Sequence, residues 1–342
     1  MKIDFHYTEP LRINEARETF RVIEQQGYSG IWLGEVTTDP LLGLAAASTA
    51  TSRVQLGTGV SLAFVRSPMS MAYAAHDLQV ASDGRFILGI GSQVRGQIER
   101  RFGVEWSHPA ERMREYIEAM KAVWACWNYG EPLNYQGKFY KIDLMPPYFT
   151  PAPSTVGPPP VHLGAFGARM TVVAGQVAEG LLLHSLMTPK YCHDVVRSNL
   201  EAGLAARELP LEHDFELSGL FFVATGRDEK QLNRAKDWVR GRIAFYGSTR
   251  AYRDIFAYHG WLTQHETWHE MARRGEWQSM ADFVDDEMLH AFAVVGDPGT
   301  IADGIRDRAA ASTVDRVSVV APDSSQEFWP DIMTDLFSSD ER

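Results

Sequence analysis

The 342-residue sequence has few cysteines and no long apolar run, and both absences restrict the class of protein. Its two cysteines, Cys126 and Cys192, lack the close spacing of metal ligands, and a disulfide-rich secreted fold needs more of them. No apolar segment reaches the length that spans a bilayer, and the first residues lack the apolar region of a signal peptide. We therefore expect a reduced, cytoplasmic protein that is not inserted in a membrane.

Positive charge is also scarce. The chain carries 33 Lys and Arg against 44 Asp and Glu, which gives a formal net charge of −11. This balance argues against nucleic acid or an anionic membrane surface as the main partner. The expected partner is instead a small organic molecule, bound in a pocket of a globular domain.

Residues 53–92 form a strand–helix–strand pattern in which both strands end in glycine. Arg53–Val60 and Gly84–Ser92 are short, apolar and β-prone, and Pro68–Ser82 has apolar residues at helical spacing. A connection of this length suits a crossover between parallel strands. Glycine lets backbone N–H groups approach a ligand closely, and parallel α/β proteins bind ligands where their strands end.

The same alternation extends over the whole chain and predicts an α/β fold. Eight β-prone segments are centred near Ile3, Ile31, Gln55, Ile87, His162, Leu182, Leu220 and Val319. Eight alternations favour a closed (βα)8 barrel over an open sheet. We expect one domain over residues 1–342, with insertions at about 128–160 and 248–292 that wall the substrate side. The first insertion is rich in proline and tyrosine, with a β-hairpin near Gly137, and the second is helical.

Several segments are similar, in this order, to a known family: Gly30–Glu35, Leu56–Val60, Ser82–Gly91, Arg112–Tyr116 and Gly164–Gly167. Over nearly its whole length the chain resembles the bacterial luciferase-like oxidoreductases, a family of flavin and deazaflavin enzymes. The run from Gly91 to Gly103 is most similar to a subgroup assigned to coenzyme F420, a 5-deazaflavin. The resemblance implies an eight-stranded barrel, usually dimeric, that holds the isoalloxazine ring at the carboxyl ends of its strands.

The resemblance also implies which residues hold the cofactor. These are Gly34, Glu35, Thr58, Gly59, Val60, Gly91, Ser92, Gln93, Gly164, Ala165, Phe166, Gly167 and His184. Gly59-Val60 match the position where the family often carries a non-proline cis peptide beneath the ring. The glycines of 164–167 match a phosphate-cradling loop that precedes a helix. His184 matches a position on the sixth strand that often contacts the cofactor phosphate.

Three residues are candidates for proton transfer: His6 and Tyr7 at the end of the first strand, and Glu35 after the second. Because strand residues alternate, only one of His6 and Tyr7 is expected to face the barrel interior. Sugar-phosphate dehydrogenases of the family carry a His where this chain has Val36, and an acid in the loop where it has Ser92-Gln93-Val94. These departures argue against that activity.

One motif is typical of a different class of enzyme. His265-Glu266-Thr267-Trp268-His269 fits the H-E-x-x-H pattern of zinc proteases. No third His follows at metzincin spacing, and the motif lies in an insertion, so we predict no metal site. His76, in the alanine-rich face of a predicted helix, is predicted to make a structural hydrogen bond.

The sequence therefore predicts an F420-dependent oxidoreductase that transfers a hydride between the deazaflavin and a small organic substrate bound over the ring. We expect a homodimer or a higher homo-oligomer. One alternative is an FMN-dependent luciferase-like monooxygenase of the same fold. A second alternative, from a different class, is a non-catalytic protein that binds flavin or deazaflavin.

Overall fold

A closed barrel of parallel strands forms the centre of the computed structural model, which describes residues 1–7, 11–208, 210–211 and 213–338. The strands are β1 (Lys2–Tyr7), β2 (Gly30–Leu33), β3 (Gln55–Thr58), β4 (Ser61–Leu62), β5 (Phe86–Gly91), β6 (Tyr135–Gln136), β7 (Lys141–Ile142), β8 (Val161–Gly164), β9 (Gly180–Leu182), β10 (Glu216–Thr225), β11 (Ala293–Gly296) and β12 (Arg316–Val320).

Helices connect the barrel strands on the outside. They are α1 (Ile13–Gln25), α2 (Pro40–Ser48), α3 (Pro68–Ala81), α4 (Arg95–Arg100), α5 (Pro109–Tyr129), α6 (Ala168–Val177), α7 (Pro189–Tyr191), α8 (Arg197–Ala205), α9 (Glu229–Gly247), α10 (Arg253–Tyr258), α11 (Leu262–Arg274), α12 (Asp286–Phe292), α13 (Pro298–Ser312) and α14 (Trp329–Ser338). A π-helical turn, Cys192–Val196, joins α7 to α8.

The barrel contains the eight predicted strands, in the order β1, β2, β3, β5, β8, β9, β10 and β12, with β12 paired back to β1. All of these pairings are parallel. The predicted (βα)8 barrel is therefore confirmed. Two strands were not predicted: β4 pairs with β5, and β11 pairs with β10 outside the closed ring.

Capping side chains begin several of the helices, as the sequence pattern suggests. Backbone N–H groups at the start of six helices donate to the side-chain oxygens of the N-cap residues Asp39, Ser67, Thr188, Asp228, Asp285 and Asp297. His108 occupies the N-cap of α5, and its ring makes no capping bond. At the end of the described chain, α14 buries Ile332 and Leu336, one helical turn apart.

The first insertion packs on the outside of the barrel and contains the predicted hairpin, β6 paired antiparallel with β7. The Glu115 carboxylate of α5 accepts the N–H groups of Lys138 (3.0 Å) and Phe139 (2.7 Å). The Tyr73 hydroxyl of α3 donates to the Phe149 carbonyl at 2.6 Å. The second insertion, residues 248–292, is described throughout. It forms helices and no strand, as predicted.

An ion pair closes the lower end of the barrel, where β12 meets β1. Arg316 donates to both carboxylate oxygens of Asp4, at 2.7 and 2.8 Å, and the two side chains are 0% and 1% exposed. Arg316 also donates to Gln55 (2.5 Å) and Glu216 (3.2 Å), and the Trp32 indole donates to Asp4 (2.9 Å). The barrel therefore begins with a layer of mutually satisfied polar groups rather than an apolar plug.

Two observations concern membrane-spanning helices and the state of the cysteines. Within the described ranges, no helix combines the length and apolarity that crossing a membrane requires. Cys126 and Cys192 are free thiols, and burial raises the pKa of Cys192 to about 11. The Cys192 thiol is therefore protonated and unreactive at neutral pH.

The buried ion pair predicts a large effect of a single substitution. Arg316→Met removes the cation and leaves the Asp4 carboxylate uncompensated in the barrel, which we expect to cost about 3–5 kcal/mol of unfolding free energy. Thermal and denaturant unfolding followed by circular dichroism would measure this loss.

A matched surface pair provides the control. Arg227 lies 3.7 Å from Asp331, with the two side chains 61% and 77% exposed. We expect Arg227→Met to change stability by no more than about 1 kcal/mol. Equal losses in the two variants would contradict the role assigned to the buried pair.

Candidate active site

A cavity of about 800 Å³ lies where the barrel strands end. Its lining brings together all but two of the residues predicted to form the site: His6, Gly34, Glu35, Gly59, Val60, Gly91, Ser92, Gln93, Gly164, Ala165, Phe166, Gly167 and His184. These residues follow or end β1, β2, β3, β5, β8 and β9. A volume of this size matches the pockets that hold cofactors and drug-sized ligands.

Tyr7 and Thr58 are the two exceptions. Tyr7 packs outside the strand layer against Phe5 and Phe20, whose ring centroids each lie 6.1 Å away. His6 faces the cavity instead, so the alternation along β1 selects His6. Thr58 is fully buried, and its hydroxyl donates to the Gly89 carbonyl at 2.6 Å, which ties β3 to β5. We therefore do not extend a proton-transfer role to Tyr7 or a cofactor contact to Thr58.

Trp32 forms the floor of the cavity and packs against the polar layer that contains Asp4 and Arg316. Its indole ring lies 5.4 Å from the Arg316 guanidinium and is stacked with the His162 ring at 6.0 Å. A Cβ atom on Gly57 would lie 2.4 Å from this indole, so only glycine leaves room for the ring. A Cβ on Gly59, one layer higher, would lie 3.5 Å from the Trp32 Cβ.

The peptide bond between Gly59 and Val60 is cis, as predicted. Backbone bonds continue the ladder on both sides of it: Gly59 N–H donates to the Leu33 carbonyl at 2.7 Å, and Glu35 N–H donates to the Val60 carbonyl at 3.1 Å. The Val60 side chain occupies space left by two glycines, since a Cβ on Gly91 would lie 2.8 Å from it. For Gly164 the corresponding distance is 3.1 Å.

The carboxylate of Glu35 is already occupied. One oxygen accepts the Leu62 N–H at 2.9 Å and the Arg66 guanidinium at 2.7 Å, and Arg66 also binds Asp39 at 2.7 Å. Through these two bonds Glu35 holds the segment that follows the cis peptide. We therefore do not extend a proton-transfer role to Glu35.

His6 is the titratable group of the cavity with the fewest partners. Loss of hydration inside the barrel lowers its pKa to about 4, so the imidazole is neutral at pH 7. A Cβ on Gly59 would lie 3.1 Å from its Cε1 atom. No side chain or backbone group in the described part of the chain is hydrogen-bonded to the His6 ring, which leaves its nitrogens for a ligand.

A second neutral imidazole, His184, lies among aromatic rings. Its Nδ1 accepts the Leu186 N–H at 3.1 Å, so the proton of the neutral ring is on Nε2. Burial lowers its pKa to about 4. The rings of Tyr246 and Tyr252 lie 4.7 and 4.8 Å away, and Phe166 completes the group at 6.3 Å. The ring is thus held as a hydrogen-bond donor on one side of the cavity.

The loop Gly164–Gly167 leads into the N-terminus of α6. Gly167 is the N-cap and has no side chain to cap the helix, and the first bond back to its carbonyl comes from Thr171 at 3.0 Å. Gly167 and Met170 line the cavity, and a Cβ on Gly167 would meet no atom within 4 Å. Uncapped N–H groups beside open space suit a phosphate group.

The two insertions contribute fewer residues to the cavity lining than predicted. No residue of 128–160 lines the cavity, so the prediction that this segment walls the substrate side is wrong. Two of its tyrosines contact α5 instead: the Tyr135 hydroxyl donates to Glu118 at 2.8 Å, and the Tyr140 ring packs edge-on against Tyr116. The second insertion contributes only its first residues, Thr249–Tyr252.

The two histidines of the H-E-x-x-H motif attach α11 to the end of α9. The Nδ1 atoms of His265 and His269 bond the Gly247 and Ser248 carbonyls at the end of α9, at 2.7 and 2.9 Å. Among the described residues no group of three His, Cys, Asp or Glu is placed to hold a metal. His76 is buried edge-on against Trp127, and its Nδ1 atom has no hydrogen-bond partner. The structural hydrogen bond predicted for His76 is not found among the described residues.

The sequence reasoning missed much of the apolar lining: Trp32, Trp106, Leu182, Leu220, Tyr246 and Tyr252. Trp32 and Leu182 were inside predicted strands, and assigning inward and outward positions along each strand would have found them. Tyr246 lies at the end of α9, where no pattern indicated a pocket, whereas Tyr252 lies within the 248–292 insertion that was predicted to wall the substrate side.

The fold and cavity together define an α/β-barrel protein with a ligand site at the carboxyl ends of its strands. The family model described as luciferase-like monooxygenase matches residues 2–316, and the chain belongs to this family. The uncharacterized protein Rv1360 of Mycobacterium tuberculosis is 42% identical to it over 318 residues, 93% of each chain.

Two further comparisons concern reductases. The 5,10-methylenetetrahydromethanopterin reductase of Archaeoglobus fulgidus is 25% identical over 333 residues, which cover 95% of this chain and 96% of that one. The solved structure of the coenzyme F420-dependent tetrahydromethanopterin reductase from Methanopyrus kandleri has a TM-score of 0.78 at 21% identity, and 99% of each chain is covered. This structural similarity confirms the barrel fold.

The contact between Val60 and the glycines predicts a specific rescue. Gly91→Ala places a methyl group 2.8 Å from Val60 and should destabilise the protein by about 1–3 kcal/mol through overpacking. Adding Val60→Ala should restore part of the loss, because the two changes exchange volume. Gly96→Ala is the control, since its Cβ would meet no atom within 4 Å. Thermal unfolding would measure all four proteins, and a double variant no more stable than Gly91→Ala would contradict the assignment.

The low pKa values of the buried imidazoles predict how stability depends on pH. Between pH 6.5 and about pH 4, the unfolded chain binds protons that folded His6, His162 and His184 do not. Unfolding free energy therefore falls as pH falls through this window, by up to about 1.4 kcal/mol per pH unit for each group. Denaturant unfolding at pH 7, 6 and 5 should show a shallower fall for His6→Gln than for the unchanged protein. Parallel curves would contradict the lowered pKa of His6.

Proposed function

We propose that the protein is an F420-dependent oxidoreductase, which transfers a hydride between the deazaflavin and a small organic substrate. The observation that carries the proposal is the cavity of about 800 Å³ at the carboxyl ends of the strands, whose floor is formed by Gly59, Val60 and Trp32. Similarity to the putative coenzyme F420-dependent oxidoreductase Rv3520c of Mycobacterium tuberculosis, 26% identical over 301 residues, supports F420 as the cofactor.

The residues of the cavity fit a cofactor with a flat ring and a phosphate group. Gly59 and Val60 would support the ring, since the absence of side chains at Gly91 and Gly164 lets Val60 lie flat against the barrel wall. The uncapped N-terminus of α6 and the Nε2–H of His184 would donate to the phosphate. When bound, the deazaflavin supplies the hydride donor or acceptor at its C5 atom.

The chain itself contributes orientation, exclusion of water and one group for proton transfer. His6 lies beside Gly59, so it is next to the proposed ring site. Its neutral imidazole has one nitrogen that accepts a proton and one that donates a hydrogen bond, so it can take the proton of a substrate hydroxyl or bind a substrate oxygen. The aromatic rings around His184 and the Trp32 floor keep the cavity largely apolar.

A titration tests the cofactor assignment. The purified protein is titrated with F420 and separately with FMN, and the fluorescence of each cofactor is followed. We expect saturable, stoichiometric binding of F420 and much weaker binding of FMN. Binding of FMN without F420 would overturn the proposal in favour of the monooxygenase alternative.

Two neighbouring residues test the proton-transfer assignment. His6→Asn should retain F420 binding but slow hydride transfer by roughly 10²–10⁴-fold, measured with a panel of enones, imines and alcohols. Tyr7→Phe is the matched control, because Tyr7 does not line the cavity, and its rate should be unchanged. Tight F420 binding without hydride transfer to any compound would favour the non-catalytic alternative.

A further inference from the structure

The second histidine of the H-E-x-x-H motif holds an arginine that lines the cavity. His269 Nδ1 is 2.9 Å from the Ser248 carbonyl, so the proton of this nitrogen is donated to the carbonyl. The Nε2 atom of the neutral ring therefore accepts, and Arg250 donates its Nε–H to it at 3.2 Å. Binding through Nε leaves the two terminal NH2 groups of the Arg250 guanidinium for another partner.

Arg250 differs from the other charged residues of the cavity. Three charged side chains line the cavity in the part of the chain that the structure describes: Glu35, Arg95 and Arg250. Glu35 is neutralised by Arg66 at 2.7 Å, and Arg95 lies 3.2 Å from Glu99. Within the described ranges, no carboxylate lies within ion-pair distance of Arg250. Among the described residues, the cavity of this acidic protein therefore contains one cation without a carboxylate partner.

Arg250 is an exposed side chain whose guanidinium is hydrogen-bonded at Nε and has no carboxylate partner among the described residues, and such a group is suited to bind an anion. Arginine binds carboxylate and phosphate groups through paired N–H donors, and a side chain already held at Nε loses less freedom when it does so. The wall behind it is apolar: Tyr252 follows two residues later and packs against Phe166 at 4.6 Å between ring centroids. An anion at Arg250 would therefore belong to a ligand whose remaining surface is apolar or aromatic.

We propose that Arg250, positioned by His269, binds a carboxylate or phosphate group of the ligand in this cavity. The inference rests on the proposed function in taking the cavity as the cofactor and substrate site. Two sources carry this chemistry: the phosphate-containing tail of the cofactor and an acidic substituent of the substrate. Neither source requires any further residue of the second insertion.

Two experiments distinguish the sources. In the first, F420 and its chromophore without the phosphate tail are titrated into the unchanged protein and into Arg250→Gln. If the anion is in the tail, Arg250→Gln weakens F420 binding by about tenfold or more and leaves binding of the shortened chromophore unchanged. In the second, two cyclic enones of equal size, one a carboxylate and one a carboxamide, compete for the F420-loaded protein. If the anion is in the substrate, Arg250→Gln removes the preference for the carboxylate.

Matched variants separate anion binding from net charge. Arg253→Gln changes the net charge equally at an exposed residue that does not line the cavity, and both experiments should leave its affinities unchanged. His269→Phe should weaken anion binding, and His269→Gln, which keeps an acceptor, should weaken it less. Neither His269 variant should have an effect in the Arg250→Gln background, whereas a purely structural role would act in both backgrounds.

The outcomes distinguish this inference from the proposed function. If F420 binds and Arg250→Gln changes neither experiment, the inference is overturned and the proposed function stands. If the unchanged protein does not bind F420, the proposed function fails, and FMN and riboflavin, which also differ by a phosphate, replace the first pair of probes. An Arg250→Gln variant that binds that second pair as the unchanged protein does would then overturn the inference.

Discussion

The position of the cavity floor depends on the ion pair between Arg316 and Asp4. It joins the last strand to the first, and its carboxylate also receives the Trp32 indole N–H. With Trp32 fixed from below, Gly57 must lack a side chain, and the next residues of the same strand meet the cis peptide. The floor of the cavity is therefore positioned by a charged layer at the opposite end of the barrel.

Small residues determine the shape of the cavity as much as large ones. Val60 fits because Gly91 and Gly164 leave space for it, and Trp32 fits because Gly57 does. The glycines were interpreted from the sequence as places where a ligand approaches the backbone. At Gly91 and Gly164 the approaching group is Val60, whereas Gly167 borders open space, as that interpretation requires.

The sequence contained most of the fold because strand and helix signals alternate clearly along it. The strands of the barrel were each within an apolar, β-prone segment. β4, at two residues, was too short to produce a pattern, whereas β11 was missed although it is as long as β2 and β3. The site was predicted where it depends on strand ends, as at Gly59 and His184. The occupied carboxylate of Glu35 was not predictable, because its partner Arg66 lies in a turn with no pattern linking the two.

Long-range side-chain contacts also explain the remaining errors. Proline and tyrosine between residues 128 and 160 indicated a segment with a special role, but composition does not reveal which face of the barrel a segment covers. The H-E-x-x-H spacing did place two histidines on one face of a helix, as periodicity requires. What that face contacts is the end of α9, and only the tertiary arrangement could show it.

The attachment of the first insertion has a consequence for protein engineering. Glu115 holds its hairpin through backbone N–H groups, so the hairpin is anchored with little dependence on its own side chains at those positions. Because none of its residues reaches the cavity, a reporter group could be attached at an exposed side chain of the hairpin, such as Lys141, without altering ligand preference. Libraries intended to change ligand preference belong instead at residues 249–252, where a short stretch of chain borders the ligand.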